Sequence, residues 1–499
     1  MGIGYLLLVA NKSEENLFMN GSPEITFFKK TFKRHTNFSI ENSIQEFNTP
    51  DPDFGRKLTV NISKQADMIG KIYLNVVLPS IQEPFNSLLP SNIKKFAWIK
   101  KIGLGLIKNI DLEINGIHMS RITGDYLNII YNLTNDKSKQ QIYNELIGNI
   151  EELYDYSTNK QSYSLMIPLD FWFCSDSELY LPVVALKHAD IKIHVEFNSF
   201  NKCFKETPTH YITVDNNFCL FEDNEIIRQT VNNETIIGEF VYYETTTKRL
   251  YYNKIYGDFK VPPNDTLTDT YKIIGDDSQF SVLLTTSSQV ISDTSYFNTY
   301  PHMEDAKLYV DYIYLDTFER FKFQQDEIRY LIPLVYNLQE KKCTSVNDFY
   351  SLDTLANPTK MILWRAQMMY NYTSNNIFDY TTYPYDTNPK STIKTNQIII
   401  NSQPREDLKF EKFYSNIQFY KYGYYNKDLG IYMYNFSLFP KEYQPSGSMN
   451  FSMAENTSQI KIQFNNIVSS SNPIIVKGYS IYYTIFNIID GIGNVEFYS

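Results

Sequence analysis

Short runs of alternating apolar and polar residues recur along this chain, and they restrict its fold more than any other feature of the sequence. Clear examples are KLTVNIS (residues 57–63), NIDLEING (residues 109–116) and DIKIHVEF (residues 190–197). Because the side chains of a β-strand point alternately to the two faces of a sheet, this pattern predicts strands with one buried face. The turn pair Asn115-Gly116 ends one of these runs, as expected for a hairpin in an antiparallel sheet.

The second half of the chain has the same texture. Its runs include KMILWRAQ (residues 360–367), QIKIQFNNI (residues 459–467) and KGYSIYYTIFNII (residues 477–489). Aromatic residues, which suit half-buried sheet surfaces, make up 16% of the chain, and 499 residues are too many for one ordinary core. The sequence therefore predicts two antiparallel β-domains, with a modest helical excursion near residues 125–156 and a long structured insertion at about residues 200–305.

A basic stretch near the amino terminus stands out in a chain of formal net charge -10. Ser22-Pro23-Glu24 is a typical helix start, and the apolar residues that follow fall on one helical face. We therefore predict a short amphipathic helix whose opposite face is basic. That face is interpreted as a solvated surface, as a contact for an acidic partner or neighbouring subunit, or as a nucleic-acid contact. The apolar residues are Ile25, Phe28 and Phe32, and the basic ones are Lys29, Lys30, Lys33 and Arg34.

Motifs of catalysis and of metal or cofactor binding are missing from the sequence. It contains neither GxSxG nor HExxH, and its six histidines do not cluster at metal-ligand spacing. The acidic pairs Glu151/Glu152 and Asp276/Asp277 lie in polar segments, where adjacent acids are typical of a solvated face. The four cysteines are far apart and predict free thiols in a reducing compartment. No apolar run approaches the ~18 residues of a membrane span, so we expect a soluble protein without catalytic residues, metal or cofactor.

Several segments, in a fixed order, resemble the major capsid proteins of nucleocytoplasmic large DNA viruses, the double jelly-roll family. They are PEITFFKKTFKRHTNF, FGRKLTVNISKQADMI, IDLEINGIHMSRITGDYLNI, VDYIYLDTFERFKF and YNFSLFPKEYQPSGSMNFS. The resemblance covers the chain from near residue 9 to residue 497. The motif residues taken from it are Pro23, Phe28, Arg34, His35, Asn37, Gly55, Gly116, Asp125, Asp311, Asp316, Glu319, Arg320, Pro445, Gly447 and Asn450.

This resemblance implies an all-β fold of two consecutive eight-stranded antiparallel jelly rolls with short helices. The expected divisions are an amino-terminal arm with the short helix at residues 1–35, a first jelly roll at residues 36–322 that contains the insertion, and a second at residues 323–499. It further implies a homotrimeric capsomer that tiles an icosahedral shell. The protein would be located in the outer shell of the virion after assembly in the host-cell cytoplasm.

The partners that the resemblance implies are other copies of the chain, neighbouring capsomers, and minor capsid and penton proteins, with lipid headgroups of an inner membrane and glycans as further partners. No direct contact with nucleic acid is expected. The apolar stripe of the basic stretch would pack against the lower end of the first jelly roll. Its basic side chains would then contact an acidic neighbour or anionic lipid.

Two alternatives remain open from the sequence. One is a minor capsid or scaffolding paralogue with the same fold, because the segment after LDT has fewer arginines than the family pattern. The longer insertion indicates an enlarged surface loop. The other is a β-sandwich glycan-binding protein, because tyrosine pairs such as Tyr251-Tyr252 are able to stack on sugar rings.

Overall fold

The structure is a computed structural model. It describes residues 2–10, 18, 20–48, 51–82, 94–134, 137–232, 234–263, 271–292, 301–325, 327–382, 389–426, 428–465, 468–470 and 472–496. Parts of the predicted arm and of the predicted insertion lie outside the described residues.

Seventeen strands are described in the first two thirds of the chain. They are β1 (Phe38–Glu46), β2 (Lys57–Asn61), β3 (Met68–Leu78), β4 (Lys95–Trp98), β5 (Ile107–Ile114), β6 (Ile117–Ile122), β7 (Tyr163–Pro168), β8 (Ile191–Phe197), β9 (Phe204–Thr207), β10 (His210–Thr213), β11 (Ile226–Val231), β12 (Glu234–Glu244), β13 (Arg249–Tyr256), β14 (Lys272–Gly275), β15 (Ser281–Leu283), β16 (Val290–Ser292) and β17 (Asp305–Leu315).

Eight of these strands form the first sandwich. One sheet has the order β1-β17-β3-β7 and the other the order β2-β8-β5-β6, with antiparallel pairing throughout. The alternating runs at β2 and β8 bury their apolar side chains, as in Leu58, Val60 and Ile193. Apart from the hairpin β5–β6, which stays within one sheet, consecutive strands of the sandwich thus alternate between the two sheets, which is the connectivity of a jelly roll.

The insertion forms a separate β-unit between β8 and β17. Its seven-stranded sheet has the order β15-β14-β11-β12-β13-β10-β16, and β9 pairs with β4 of the first half. A small apolar core of its own includes Ile227, Phe240 and Leu250. The insertion therefore has a sheet and a core separate from those of the sandwich that it interrupts.

Twelve further strands follow. They are β18 (Ile328–Asn337), β19 (Lys341–Cys343), β20 (Asn347–Ser351), β21 (Pro358–Met368), β22 (Ile393–Ile400), β23 (Gln403–Pro404), β24 (Lys409–Phe410), β25 (Ile431–Asn435), β26 (Met449–Asn450), β27 (Gln459–Phe464), β28 (Ile474–Ile489) and β29 (Ile492–Val495).

The second sandwich repeats the strand order of the first. One sheet has the order β18-β28-β21-β25, with β19, β26 and β29 added to it, and the other has the order β20-β27-β22-β23, with β24 also paired to β22. Its inner core includes Tyr350, Ile362 and Trp364, each at most 1% exposed. The chain thus contains two sandwiches built on the same plan.

Helices connect these strands and are short. They are α1 (Ile3–Ala10), α2 (Ile102–Leu106), α3 (Gly124–Thr134), α4 (Gln140–Leu146), α5 (Glu151–Tyr154), α6 (Trp172–Ser175), α7 (Thr317–Gln325), α8 (Met369–Thr373) and α9 (Gln418–Lys421), with a π-helix at Phe413–Ile417 and 3₁₀ turns at Lys137–Lys139, Ser177–Leu179, Phe200–Lys202 and Phe451–Met453. The predicted helical excursion near residues 125–156 is confirmed as α3, α4 and α5. In the described part of the chain, no helix is long and apolar enough to cross a bilayer.

The two sandwiches pack side by side through one continuous apolar cluster. It joins Tyr126 and Trp172 of the first half to Leu363, Tyr479 and Phe486 of the second. The predicted domain boundary at residues 322 and 323 falls inside α7, between the last strand of the first sandwich and the first strand of the second.

The prediction of a short helix in the basic stretch is wrong. Residues 21–37 contain bends and a turn but no helix, and Ser22 has a φ of 52°, whereas an N-cap needs an extended backbone. The predicted apolar stripe does not pack on the first sandwich, since Ile25, Phe28 and Phe32 are 71%, 99% and 82% exposed. A helix this short is marginal in water unless its apolar face is buried, and none of the described residues buries it.

Candidate functional site

The basic segment (residues 20–35) is the part of the predicted site that the structure leaves fully on the surface. Every residue from 20 to 42 is exposed. The imidazole Nδ1 of His35 lies 2.7 Å from the carbonyl oxygen of Thr36, which is a local contact. None of the basic side chains forms an ion pair with another described residue, so their charge is available to a partner. The predicted residues in this exposed stretch are Pro23, Phe28, Lys29, Lys30, Lys33, Arg34, His35 and Asn37.

Asp125, by contrast, is buried at the junction of the two sandwiches. It lies in the first turn of α3, and its carboxylate is 2.7 Å from Nε of Arg365 on β21. Tyr380 and Tyr479 donate hydrogen bonds to its two oxygens, at 2.6 and 2.9 Å. Burial acts to raise the pKa of Asp125, but Arg365 and Lys477 reverse the effect and hold this pKa below its usual range. The pair therefore stays ionised and joins the two halves.

The sequence analysis did not identify the partners of Asp125, although the sequence contains an indication of one of them. Arg365 is the one charged residue inside the apolar run MILWRAQM of β21. A charge at a position that must be buried requires an opposite charge nearby. The identity of that partner follows only from the packing of α3 against β21.

Three of the predicted motif residues lie at the start of α7. The side chain of Asp316 accepts a hydrogen bond from the backbone N–H of Thr317, and so caps the helix. Nε of Arg320 lies 2.9 Å from the buried carboxylate of Asp67, which also accepts a hydrogen bond from the N–H of Leu315. Oε2 of Glu319 is buried without a hydrogen-bond partner among the described residues. Arg320 thus fastens α7 to the first sandwich through Asp67, whereas the contact of Asp316 is local to the start of the helix.

Asp311 lies earlier on β17 and has a separate role. One of its carboxylate oxygens accepts a hydrogen bond of 2.7 Å from the side-chain amide of Asn42 on β1. The two residues are also direct partners in the strand register. Asp311 therefore fixes the edge strand of the first sandwich and has no contact with the α7 group.

The motif residues near residue 447 shape a loop over the junction. Gly447 has a φ of +136°, and a Cβ there would lie 2.9 Å from the carbonyl oxygen of Phe436. Pro445 precedes it in the same loop, while Asn450 caps the following 3₁₀ turn through the N–H of Ser452. The adjacent Tyr443 contacts the hydroxyl of Ser175 in the first half, so this loop also joins the two sandwiches.

Gly55 and Gly116 are turn residues. Asn115 and Gly116 have φ values of 54° and 77° and connect β5 to β6, which matches the predicted hairpin turn. Gly55 has a φ of 73°, and its N–H donates to the carbonyl oxygen of Asn198.

A cavity of about 340 Å³ lies between the sandwiches, beneath the loop that contains Tyr443. Six of its twenty lining residues are aromatic, and the lining also includes Asp170 and Lys360. Burial raises the pKa of Asp170 to about 6, although a hydrogen bond from Tyr126 opposes the shift. Burial also lowers the pKa of Lys360 to about 8. The sequence predicted none of these groups.

The groups considered for catalysis or metal binding are separated or engaged elsewhere. Among the described residues, no group of three His, Cys, Asp or Glu side chains is placed to hold a metal ion. His194 contacts Glu113 and Thr59 across the strands of one sheet. Asp276 forms an ion pair with Arg228. Of the three tyrosine pairs that the sequence offers for sugar stacking, Tyr251 and Tyr252 are each 1% exposed and offer no binding face, whereas Tyr425 of the pair Tyr424-Tyr425 is 44% exposed.

Protein-family comparisons match both halves of the chain. The family model for the amino terminus of major capsid proteins matches residues 26–244. The family model for the major capsid protein of large eukaryotic DNA viruses matches residues 319–480. The probable capsid protein 4 of Acanthamoeba polyphaga mimivirus is 34% identical over 100% of both chains. The major capsid protein of Phaeocystis pouchetii virus is 24% identical, again over 100% of both chains.

Solved structures share the fold at low sequence identity. The Faustovirus major capsid protein has a TM-score of 0.67 at 13% identity, covering 96% of this chain and 94% of its own. The PBCV-1 virus capsid has a TM-score of 0.61 at 17% identity, covering 95% of this chain and 100% of the capsid chain. The prediction of two consecutive eight-stranded antiparallel jelly rolls is confirmed.

Proposed function

This chain belongs to the major capsid proteins of large eukaryotic DNA viruses, and from that premise we propose that three copies of it form a capsomer of pseudo-hexagonal outline. Proteins of this family are structural components of the capsid and not enzymes, which agrees with the expectation from the sequence. How this chain performs that structural task is inferred from its strand order and its contacts.

The observation that carries the proposal is the repetition of one strand order in two sandwiches placed side by side. Both follow the same plan of two antiparallel sheets. Three such chains around a threefold axis present six similar units, which approximates sixfold symmetry and allows the capsomer to occupy a hexagonal lattice. A ring of this kind uses a heterologous contact that closes on itself.

A rigid junction between the sandwiches supports this role. The Asp125–Arg365 pair, the apolar cluster across both halves and the Tyr443–Ser175 contact each join the two jelly rolls. Because the halves would otherwise rotate against each other, the hexagonal outline depends on these contacts. We assign the other motif residues to the same purpose of maintaining the fold.

The division of the chain is part of the proposal. Residues 1–35 form an arm, residues 36–322 the first jelly roll and residues 323–499 the second. The insertion at about residues 200–305 forms a tower on the outer surface, because large insertions are tolerated where connections face solvent. Limited proteolysis of intact particles tests its location. Cleavage within the insertion is expected, and its complete protection while other loops are cut would place it inside.

The proposed partners are neighbouring capsomers and the minor capsid and penton proteins, with assembly in the host-cell cytoplasm and a final location in the outer shell. The bases of the basic segment, Lys29, Lys30, Lys33 and Arg34, would face an acidic surface. Replacing all four with Gln should remove the attraction of this segment for an acidic surface and impair shell assembly, while apolar contacts keep the trimer intact. Normal particles from this variant would contradict the assignment of the segment to assembly.

The decisive experiment is the solution mass of the purified protein by light scattering, with negative-stain images of the same peak. Three copies of 58.5 kDa give about 175 kDa. A stable species of that mass with a hexagonal outline is expected. A protein that stays monomeric at high concentration would contradict the capsomer. The copy number per particle then separates a major capsid protein from a minor paralogue.

A further inference from the structure

The edge strand β1 turns polar residues toward the core of its own sandwich. Leu308 and Val310 of β17 are fully buried in that core. Their direct partners on β1 are Gln45 and Ser43. Residues paired directly in an antiparallel ladder lie on the same face of the sheet, so the inner face of β1 is the polar one.

The apolar residues of β1 consequently point away from the core. Phe38, Ile40 and Ile44 are 54%, 56% and 48% exposed. In an ordinary strand with one face in solvent, the apolar side chains point to the core and the polar ones to the solvent. A shift of one residue in the pairing register would exchange the two faces of β1. The register is nonetheless continuous over all nine residues of β1. Its outward face therefore presents three apolar side chains that the described residues leave about half uncovered.

We propose that the basic segment of a second copy of this chain covers the outward face of β1. The segment carries the matching apolar groups, because Ile25, Phe27, Phe28 and Phe32 are between 71% and 99% exposed. Exposed aromatic residues in such number mark a surface that is buried in an assembly. This inference rests on the proposed capsomer and names the contact between its copies.

Charge favours the same pairing. On the outward face of β1 and β17, the acids Glu46, Asp305 and Asp311 stand against a single base, Lys307, which already lies 3.1 Å from Asp305. The basic segment has four basic residues against one acid, Glu24. Complementary charge of this kind speeds association and fixes its register.

The geometry of the chain favours a second copy over a fold-back of the same copy. The segment leads directly into β1, and to cover β1 of its own chain it would have to reverse just before Phe38. Residues 34–37 contain neither Gly nor Pro, and no turn is assigned to them. When fully extended, a segment of sixteen residues reaches about 50 Å, which exceeds the radius of gyration of about 23 Å expected for a compact chain of this length.

Disulfide trapping between differently tagged copies tests the inference. One copy carries Phe28→Cys and the other Ile40→Cys, both with Cys219→Ser, because the remaining cysteines are buried. The two are produced together and mildly oxidised. A cross-linked species that contains both tags is expected. Phe32→Cys with Ile44→Cys provides a second pair, so that the result does not depend on one position.

The matched control replaces Ile40→Cys with Phe349→Cys, a residue of similar exposure, 43%, in the second jelly roll. We expect it to give at least about tenfold less cross-linked product. A control pair that reacts equally well would contradict the inference. A further chain carries both cysteines of a pair in the same copy, and a cross-link that forms only within that copy would also overturn the inference. Trimers of normal mass in which neither pair cross-links would overturn it as well. If light scattering detects no trimers, the proposed capsomer itself is wrong. This result is distinct from trimers that form without the cross-link.

Vesicle binding decides between this contact and a lipid surface. Trimers of the unchanged chain and of the variant with Lys29, Lys30, Lys33 and Arg34 replaced by Gln are mixed with phosphatidylserine vesicles. Equal, weak binding of both is expected, because the bases already face the acidic β1 surface. Binding of the unchanged trimer that falls tenfold or more in the Gln variant would overturn the inference in favour of lipid.

Discussion

The first strands of the two jelly rolls, β1 and β18, hold the same position in the same strand order but differ in what covers them. Ile328, Ile332 and Leu334 of β18 are at most 9% exposed and belong to the apolar cluster shared by both halves. The three apolar residues of β1 are about half exposed. One fold thus gives equivalent strands different surroundings, because only the second jelly roll has the first beside its opening strand.

The connections before the last strand show the same contrast. In the first jelly roll, residues 198–304 lie between β8 and β17, and they contain a complete β-unit. In the second, residues 465–473 connect β27 to β28. Repetition of the sandwich therefore preserves the packed core, whereas the surfaces that face outward are free to diverge. The following predictions test this difference between covered and uncovered surfaces.

The largest effect is expected at the covered junction. Arg365→Ala leaves the carboxylate of Asp125 buried without its cation, which costs about 3–5 kcal/mol of unfolding free energy. Urea denaturation of the trimer measures the loss. The control Lys108→Ala removes a surface ion pair with Glu196 and should cost less than about 1 kcal/mol. Equal losses would mean that the junction pair does not hold the halves together.

A matched pair of isoleucines compares the two opening strands directly. Ile332→Ala in β18 removes a fully buried side chain, and we expect a loss of about 3 kcal/mol in unfolding free energy. Ile40→Ala in β1 should change the stability of a single chain by less than about 0.5 kcal/mol but weaken self-association. Denaturation below and above the assembly concentration separates the two effects. A large loss for Ile40→Ala in the monomer would show that β1 is covered by its own chain.

The pH dependence of the junction is expected to follow Asp170. Its pKa is raised to about 6 in the folded chain by burial, so the unfolded chain releases this proton more readily. The contribution of this carboxyl to stability therefore falls as the pH rises from about 4 to about 6 and stays low above that. Asp170→Asn should stabilise the protein at pH 7.5 by about 2–3 kcal/mol, with little change near pH 4. Thermal unfolding at both pH values checks this, and a variant that is less stable at pH 7.5 would contradict it.

The smallest effect concerns two hairpin turns. Gly116 and Gly491 have φ values of 77° and 79°, so Ala at either position costs about 1 kcal/mol of backbone strain. A Cβ at Gly116 meets nothing within 4 Å, whereas one at Gly491 lies 3.0 Å from the ring of His188 in the first half. We expect Gly491→Ala to be the more destabilising in thermal unfolding. The reverse order would indicate that this turn does not pack on the first jelly roll.

Much of the fold could be predicted from local patterns. The alternation in residues 57–63 and 190–197 became β2 and β8, and Asn115-Gly116 became the turn between β5 and β6. The helix predicted after Ser22 failed because its start signals and apolar stripe lacked a surface to pack on. Local propensity contributes too little to hold a short helix without tertiary contacts.

The candidate site was predictable only in part. The sequence indicated Asp125, Asp316 and Arg320 by motif, but it did not reveal Arg365 as the partner of Asp125. That pairing joins residues 240 positions apart. The cavity with Asp170 was also invisible, since a cavity is formed by elements that meet only after the two sandwiches have packed.

The sequence by itself determined that this chain builds two β-sandwiches, because the period of its apolar residues decides which faces can be buried. It also determined the exposed basic charge near the amino terminus. Only the tertiary structure decided which apolar faces stay uncovered. The outward direction of Phe38, Ile40 and Ile44 depends on the register of β1 against β17, and that register is set by long-range pairing that no local pattern encodes.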